Sequence, residues 1–290
     1  MKNNTHILPN FLIVGAAKSG TTSIYHYLSQ HPQIFMSPVK EPGFFAYRDP
    51  YIEEHFKGAT RFTAKSMEQY RALFEGVSHE RAIGEASTIY LESPAAPTRI
   101  CEQLPGVKLI VSLRNPVDRA HSGYVMHVRK SLETRMIDDA FDSDARYVKV
   151  GFYYEKLKRY IDIFGKEKIK IGLFDELISQ PERFIEELLQ FLNLDTTLPL
   201  DISAHHNKGT YPRIKWLNRL LVNPIISNYL APVLPTWFVH LGKKAVSYNR
   251  TSAPDLPYEV KVKLEKIYRD DILRVQDLID RDLSVWLSEK

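Results

Sequence analysis

Phe11-Leu-Ile-Val-Gly15, continuing directly into Ala16-Ala-Lys-Ser-Gly-Thr-Thr-Ser23, is the stretch on which the architecture turns. A short apolar run entering a glycine predicts a buried strand that ends in a loop. From Thr21 the spacing changes, and Ile24, Tyr27 and Leu28 recur at helical intervals, predicting a helix over 21–30. Strand, small-residue loop and helix in that order open a βα unit. Gly15 and Gly20 keep the glycine spacing of a nucleoside-triphosphate loop, but Thr21 stands where that loop's lysine belongs, and the lysine lies inside at Lys18. Backbone N–H groups between the glycines and at the helix N-terminus still suit an anion. A lysine aimed at a γ-phosphate is missing and the magnesium-binding hydroxyl after it is not clearly in place, so the loop fits an anionic donor shorter than a triphosphate and needing no metal. Such a loop can also be a plain tight connection. Lys18, Ser19, Thr21, Thr22 and Ser23 crowded onto one turn favour anion binding.

Outward from this stretch the pattern repeats. Val107-Lys-Leu-Ile-Val-Ser-Leu113 is a second strand, followed by Arg114-Asn115-Pro116 and a helix expected through Val128. Proline is tolerated in a first helical turn, where its missing N–H has no partner to lose. A third strand is predicted over 169–174, preceded by a helix over 153–164. Phe184, Ile185, Leu188, Leu189 and Leu192 mark another helix, with Ser179, Pro181 and Glu182 as its expected cap. A shorter strand is expected over 81–85, and a long helix with a terminal turn over 256–287. Alternating strands and helices predict an α/β fold: a central parallel sheet flanked by helices, with a P-loop-like phosphate-binding loop after the first strand. One domain is expected over 8–290, with 207–254 an irregular excursion or lid inside it. There is no internal repeat or low-complexity tract.

Composition narrows the classes. In 290 residues, 44% hydrophobic and 26% charged, a buried core is affordable. Lysine and arginine number 39 against 35 acids, a formal charge of +4, too small an excess to argue for nucleic acid. No basic stripe interleaved with aromatics stands out either. The single cysteine, Cys101, excludes an internal disulfide and a cysteine-built metal site and points to a reducing compartment. The first ten residues lack a signal peptide's basic and apolar regions, and cytoplasmic is the expected location. The apolar stretch 220–241 is broken by Pro224, Pro232 and Pro235, which argues against a transmembrane helix. The pair His205-His206 has no third ligand in evidence, so no metal site is assigned.

Several segments together resemble one family. The loop of 11–23 is similar to the 5′-phosphosulfate loop of sulfotransferases that use 3′-phosphoadenosine 5′-phosphosulfate (PAPS), particularly the branch holding heparan sulfate sulfotransferases and bacterial relatives. His31-Pro32 and Lys40-Glu-Pro-Gly-Phe-Phe45 resemble that branch's Lys-Glu-Pro-x-Phe-Phe element. Ile83-Gly-Glu-Ala-Ser-Thr-Ile-Tyr-Leu91 resembles its Gly-Glu stretch, and Leu113-Arg-Asn-Pro-Val-Asp-Arg-Ala-His-Ser-Gly-Tyr124 its 3′-phosphate motif. The ending Asp282-Leu-Ser-Val-Trp286 also fits.

The resemblance implies transfer of a sulfuryl group from PAPS to a hydroxyl or amine, leaving 3′,5′-adenosine bisphosphate (PAP), by in-line displacement without a metal. It assigns the donor's 5′-phosphate to Lys18, Ser19, Gly20, Thr21, Thr22 and Ser23, and the 3′-phosphate to Arg114 and Ser122. Lys18 would also meet charge on the leaving phosphate oxygen, and Arg114's planar fork suits a terminal phosphate. Glu41 matches the family's general base, with Glu85 as reserve base or acceptor-orienting group. Lys208 and Gly209 resemble a late element that closes over the donor. His127, one turn past Gly123, is a third candidate base. Each has an ordinary counterpart: a solvated loop lysine for Lys18 and Lys208, an exposed turn for Glu41, a plain helix residue for His127. Arg119 is expected to form a surface salt bridge.

Two other functions share these features. A kinase-like phosphotransferase of the same fold requires a lysine after Gly20, contradicted by Thr21. A catalytically silent nucleotide-binding protein is disfavoured by Lys18 and Glu41. The acceptor is a small molecule or a carbohydrate; its identity and the oligomeric state stay open. Residues 126–147, with Arg129, Lys130, Arg135 and Arg146, border a possible acceptor cleft or form a solvated face.

Overall fold

The structure, a computed structural model, describes residues 7–56, 62–202, 210–221 and 244–287. They group into two compact units: the first takes in 1–115, 152–206 and 270–290, the second 116–151 and 207–269. Five strands build the first unit: β1 (Phe11–Gly15), β2 (Ile34–Met36), β3 (Ala82–Ala86), β4 (Lys108–Leu113) and β5 (Ile169–Leu173). They pair in the order β2-β3-β1-β4-β5, every pairing parallel. The expected central parallel sheet is therefore present, with β1 in its middle.

Helices occupy the connections. They are α1 (Thr21–Leu28), α2 (Pro50–His55), α3 (Met67–Ala72), α4 (Ile89–Glu92), α5 (Ala96–Gln103), α6 (Pro116–Arg129), α7 (Arg146–Lys149), α8 (Tyr154–Phe164), α9 (Phe174–Ser179), α10 (Pro181–Phe191), α11 (Lys215–Leu221) and α12 (Tyr258–Ile279). Phe11, Leu12, Ile13 and Val14 have no exposed surface, as a strand covered on both faces requires. Ile24, Tyr27 and Leu28 of α1 pack into the same cluster as Ile185, Leu188 and Leu189 of α10. Each such side chain removed from water stabilises the fold by roughly 1.5–3 kcal/mol.

Two local expectations are corrected. The third strand stops at Leu173, and Phe174 opens α9. Ser179 does not cap α10: Gln180 is the capping position and Pro181 the first helical residue, while Ser179 Oγ donates to the Asp175 carbonyl (2.8 Å).

The second unit pairs β6 (Thr210–Pro212) with β7 (Arg250–Ser252) antiparallel and carries α6, α7 and α11. Arg119 of α6 overturns the surface expectation: only 2% is exposed, and its guanidinium donates to the Tyr147 carbonyl. Arg135 is committed internally, bonded to Glu133 (2.8 Å) and Asp142 (2.7 Å). Although burial opposes it, bonds from Arg135 and Tyr147 hold the Glu133 carboxyl down at about 2.

Candidate active site

The loop after β1 is tied to the end of β4. Ala16 N–H donates to the Ser112 carbonyl (2.8 Å), and Ser112 Oγ donates to the Ser19 carbonyl (2.6 Å). In a planar trans peptide the N–H lies opposite the C=O, so this bond turns the Gly20 N–H away from β4. Gly20 adopts φ 82°, and a Cβ there would meet Leu177 Cδ2 at 2.6 Å and Phe174 Cδ2 at 2.9 Å. Both the left-handed backbone and the crowding call for glycine. α1 starts on Gly20 with no side-chain cap, which leaves its first-turn N–H groups without that competitor.

Ser19 is completely buried, yet its Oγ has no hydrogen-bond partner among the described residues. Buried hydroxyls are normally satisfied. An anion seated on this loop would satisfy Ser19 Oγ and the uncapped amides together, so the residues fit a phosphate. Thr21 is buried, while Lys18, Thr22 and Ser23 are half-buried. Lys18 is itself left-handed, at φ 72°.

Arg114 follows β4, in the same unit as the loop. Its Nη1 donates to the Lys18 carbonyl at 3.5 Å, and its guanidinium lies 4.7 Å from the centre of the Phe174 ring. Tyr153 Oη donates to the Arg114 carbonyl (3.0 Å), and Asp271 of α12 accepts from the Tyr153 N–H (2.7 Å). The loop and the arginine thus adjoin at the carboxyl ends of β1 and β4, where open α/β sheets bind ligands. Trp286 of the terminal motif is buried and donates through Nε1 to Asp175 Oδ2 (3.1 Å), beside Phe174.

Glu41 lies on the opposite flank of β1, against the end of β3. Its N–H donates to the Ala86 carbonyl (2.8 Å). Its carboxylate accepts from the Thr88 N–H (2.7 Å), the Thr88 hydroxyl (3.2 Å) and Lys40 Nζ (2.8 Å). The side chain stays 37% exposed, open to solvent. Glu85 is its opposite: wholly buried, it accepts from Ser87 Oγ (2.8 Å) and the Tyr70 hydroxyl (3.3 Å). Burial raises its carboxyl to about 7; neighbouring hydroxyls pull it down, and Glu41's charge pushes it up.

Ser122 is a half-buried residue of α6, in the second unit. Lys208 and Gly209 lie outside the described residues, as do His205 and His206. His127 is a helix residue whose Nδ1 donates to the Gly123 carbonyl (2.8 Å); burial lowers its pKa. Among the described residues no group of three His, Cys, Asp or Glu side chains is arranged to hold a metal ion. Three contributors were not anticipated: Ser112, Thr88 and Phe174. Thr88 sat inside the quoted Gly-Glu stretch, and Phe174 followed the third strand directly, so position alone could have marked both.

A parallel α/β sheet with an uncapped, glycine-turned loop after its central strand, and an arginine at the neighbouring strand end, defines a P-loop-like α/β protein. The sequence matches the sulfotransferase domain family over residues 8–215, and the chain belongs to that family. A solved sulfotransferase structure from Alicyclobacillus acidocaldarius is similar over 97% of this chain and 99% of that one, with 30% identity and a TM-score of 0.70. The membrane-associated sulfotransferase kil1 of Dictyostelium discoideum is 37% identical over 117 residues, 40% of this chain and 22% of that protein. The bifunctional heparan sulfate N-deacetylase/N-sulfotransferase 1 of Caenorhabditis elegans is 28% identical over 200 residues, 64% of this chain and 22% of that protein. The chain therefore spans about a fifth of the length of these two curated relatives. Sulfuryl transfer is the activity of this class, and PAPS is the donor the family implies. No described helix is long and apolar enough to cross a membrane.

Proposed function

We propose that this chain transfers a sulfuryl group from PAPS to a hydroxyl or amine of a small-molecule or carbohydrate acceptor, with Glu41 as general base and Lys18 stabilising the leaving phosphate. One observation carries the assignment of the donor site: the loop bearing Lys18 and the arginine proposed for the 3′-phosphate adjoin, Arg114 Nη1 donating to the Lys18 carbonyl at 3.5 Å. PAPS, when bound, supplies the activated sulfuryl group and a phosphate leaving group. The amides of Gly20, Thr21, Thr22 and Ser23, with the Ser19 hydroxyl, hold the 5′-phosphate. Lys18 neutralises charge gathering on the leaving oxygen, where a fixed cation contributes most. Arg114 grips the 3′-phosphate with its planar guanidinium fork, and the resemblance assigns Ser122 to the same phosphate.

Glu41 takes the acceptor's proton as its oxygen or nitrogen attacks sulfur. Its exposure and its setting between Thr88 and Lys40 support that role, because the carboxylate is held at one place yet remains reachable. The buried Glu85 cannot meet an acceptor without opening the fold, which favours Glu41 over it. The loop lacks the lysine of a magnesium-nucleotide site, which supports turnover without a metal ion, and family membership counts against the phosphotransferase alternative. The lone Cys101 supports a reducing, cytoplasmic setting.

Calorimetric titration with PAP, together with sulfuryl transfer to a panel of phenols, sugars and amines in excess chelator, tests the proposal. Binding of PAP with chelator-resistant transfer is expected. Failure to bind PAP would overturn the donor site, and PAP binding without transfer to any acceptor would favour a silent nucleotide-binding protein.

A further inference from the structure

The turn that carries Glu41 is unusual in its backbone. Glu41 has φ 60° and Gly43 has φ 72°, so two left-handed residues flank Pro42. A non-glycine residue in that region costs roughly 1 kcal/mol or more and persists only where its surroundings enforce it. Three contacts do the enforcing. The Glu41 N–H is fixed on Ala86 (2.8 Å), the Gly43 N–H donates to Ser87 Oγ (3.0 Å), and the Phe44 ring stacks on Tyr70 with centroids 4.7 Å apart. The last two converge on one group. Ser87 Oγ, while accepting from Gly43, donates to Glu85 Oε2 (2.8 Å), and the Tyr70 hydroxyl donates to Glu85 Oε1 (3.3 Å).

We propose that Glu85 is a positioning residue for Glu41: through the Ser87 hydroxyl and the Tyr70 phenol it fixes Gly43 and Phe44 of the turn that presents the base. This rests on Glu41 being the base. A hydroxyl has a single proton, and giving it to Glu85 orients the Ser87 lone pairs toward the Gly43 N–H. The carboxyl touches no reacting atom. It acts through the orientation of Glu41 beside the end of β3, and a displacement of about 1 Å at a catalytic group is worth up to ~100-fold in rate.

The test uses E85A, E85Q and S87A in the full chain, with three readouts: kcat for sulfuryl transfer, PAP affinity, and hydrogen exchange of the segment 38–47. E85A and S87A are expected to lower kcat by ~10- to 100-fold, to leave PAP affinity within about twofold, and to speed exchange in that segment. E85Q, whose amide can still meet both hydroxyls, is expected to retain most of the rate. The E85A/S87A double variant should be no slower than the worse single, because both break one chain of contacts. Folded E85A or S87A with wild-type exchange in 38–47 overturns the proposal, whatever the turnover. Should E85A not fold, S87A carries the same test. Exchange needs no acceptor, so a wild-type protein without transfer activity would refute the base assignment separately from the positioning of the turn.

Discussion

Replacing Glu85 by glutamine separates a buried carboxyl's pH dependence from everything else in the protein. The group has no exposed surface, and its ordinary value of 4.5 rises to about 7 in the fold. Burial is the principal cause, with Glu41's negative charge adding to it against the pull of neighbouring hydroxyls. The other titratable groups facing it are Tyr70, Tyr90 and Tyr160, all pushed further above their usual range, so none of them ionises near neutrality. A folded-state pKa above the unfolded one means that the unfolded chain loses this proton first as pH rises. Stability contributed by the neutral carboxyl is therefore fully present below about pH 4.5 and is lost as pH rises to about 7. At ~1.4 kcal/mol per unit, a 2.5-unit difference is a loss of about 3 kcal/mol. For a chain of this size that is roughly 5–10 °C of Tm. E85Q stays neutral throughout. Thermal melts of wild type and E85Q from pH 4.5 to 8 should give a Tm difference that moves in favour of the variant as pH rises and levels off above about pH 7. Ionisable groups not coupled to Glu85 cancel in that difference. A difference that stays flat across the range would refute the reasoning. The companion variant E41Q should shrink the pH-dependent part by removing the nearby negative charge.

Lys18→Ala should lower kcat by ~100- to 1,000-fold, the usual loss when one stabilising group at a developing oxyanion is removed. Single-turnover transfer measures this, and near-normal turnover would end the proposed role. Arg114→Ala should weaken PAP by ~10- to 100-fold, since charged hydrogen bonds contribute about 1.5–3 kcal/mol. Its effect on adenosine 5′-phosphosulfate, which lacks the 3′-phosphate, should be no more than a few-fold, and equal losses for the two ligands would refute the assignment. Gly20→Ala forces a side chain into φ 82° and against Leu177 and Phe174. A drop in Tm of several degrees with weakened PAP binding is expected from scanning calorimetry and titration, at roughly 1–2 kcal/mol for the backbone alone.

The parts of the fold visible in the sequence were those with a local signature. Phe11–Gly15 and Lys108–Leu113 are uninterrupted apolar runs, and the packing of their side chains into a covered sheet is what such runs require. Ile34–Met36 escaped notice because three residues carry no readable period. Phe174 looked like strand because it is apolar. It opens α9 because the Glu176 side chain reaches back to the Leu173 N–H (3.1 Å), a bond made by a residue that periodicity ignores. Arg119 was misjudged for a related reason: charge argues for a surface, but its partner is a backbone carbonyl 28 positions away, at Tyr147. At the site, residue types announced the loop and Glu41. The groups that orient them, Ser112, Ser87 and Tyr70, are common residues whose roles exist only through contacts across strands.

Those contacts explain why the loop can do without a triphosphatase lysine. A Walker-type arrangement aims its cation from the first turn of the helix, but here Thr21 fills that position and the cation sits before the left-handed Gly20. The loop's carbonyls at Lys18 and Ser19 are met from β4, by Arg114 at 3.5 Å and by Ser112 at 2.6 Å. The shorter bond fixes the peptide that aims the Gly20 N–H. The longer one, at the limit of hydrogen-bond geometry, adds little energy to the loop. The Arg114 guanidinium also lies against the Phe174 ring, 4.7 Å from its centre, which fixes where its planar fork can point. In the proposed donor site the same β4 end orients the loop for one phosphate and supplies the arginine for the other, a coupling that suits a nucleotide phosphorylated at both the 3′ and 5′ positions.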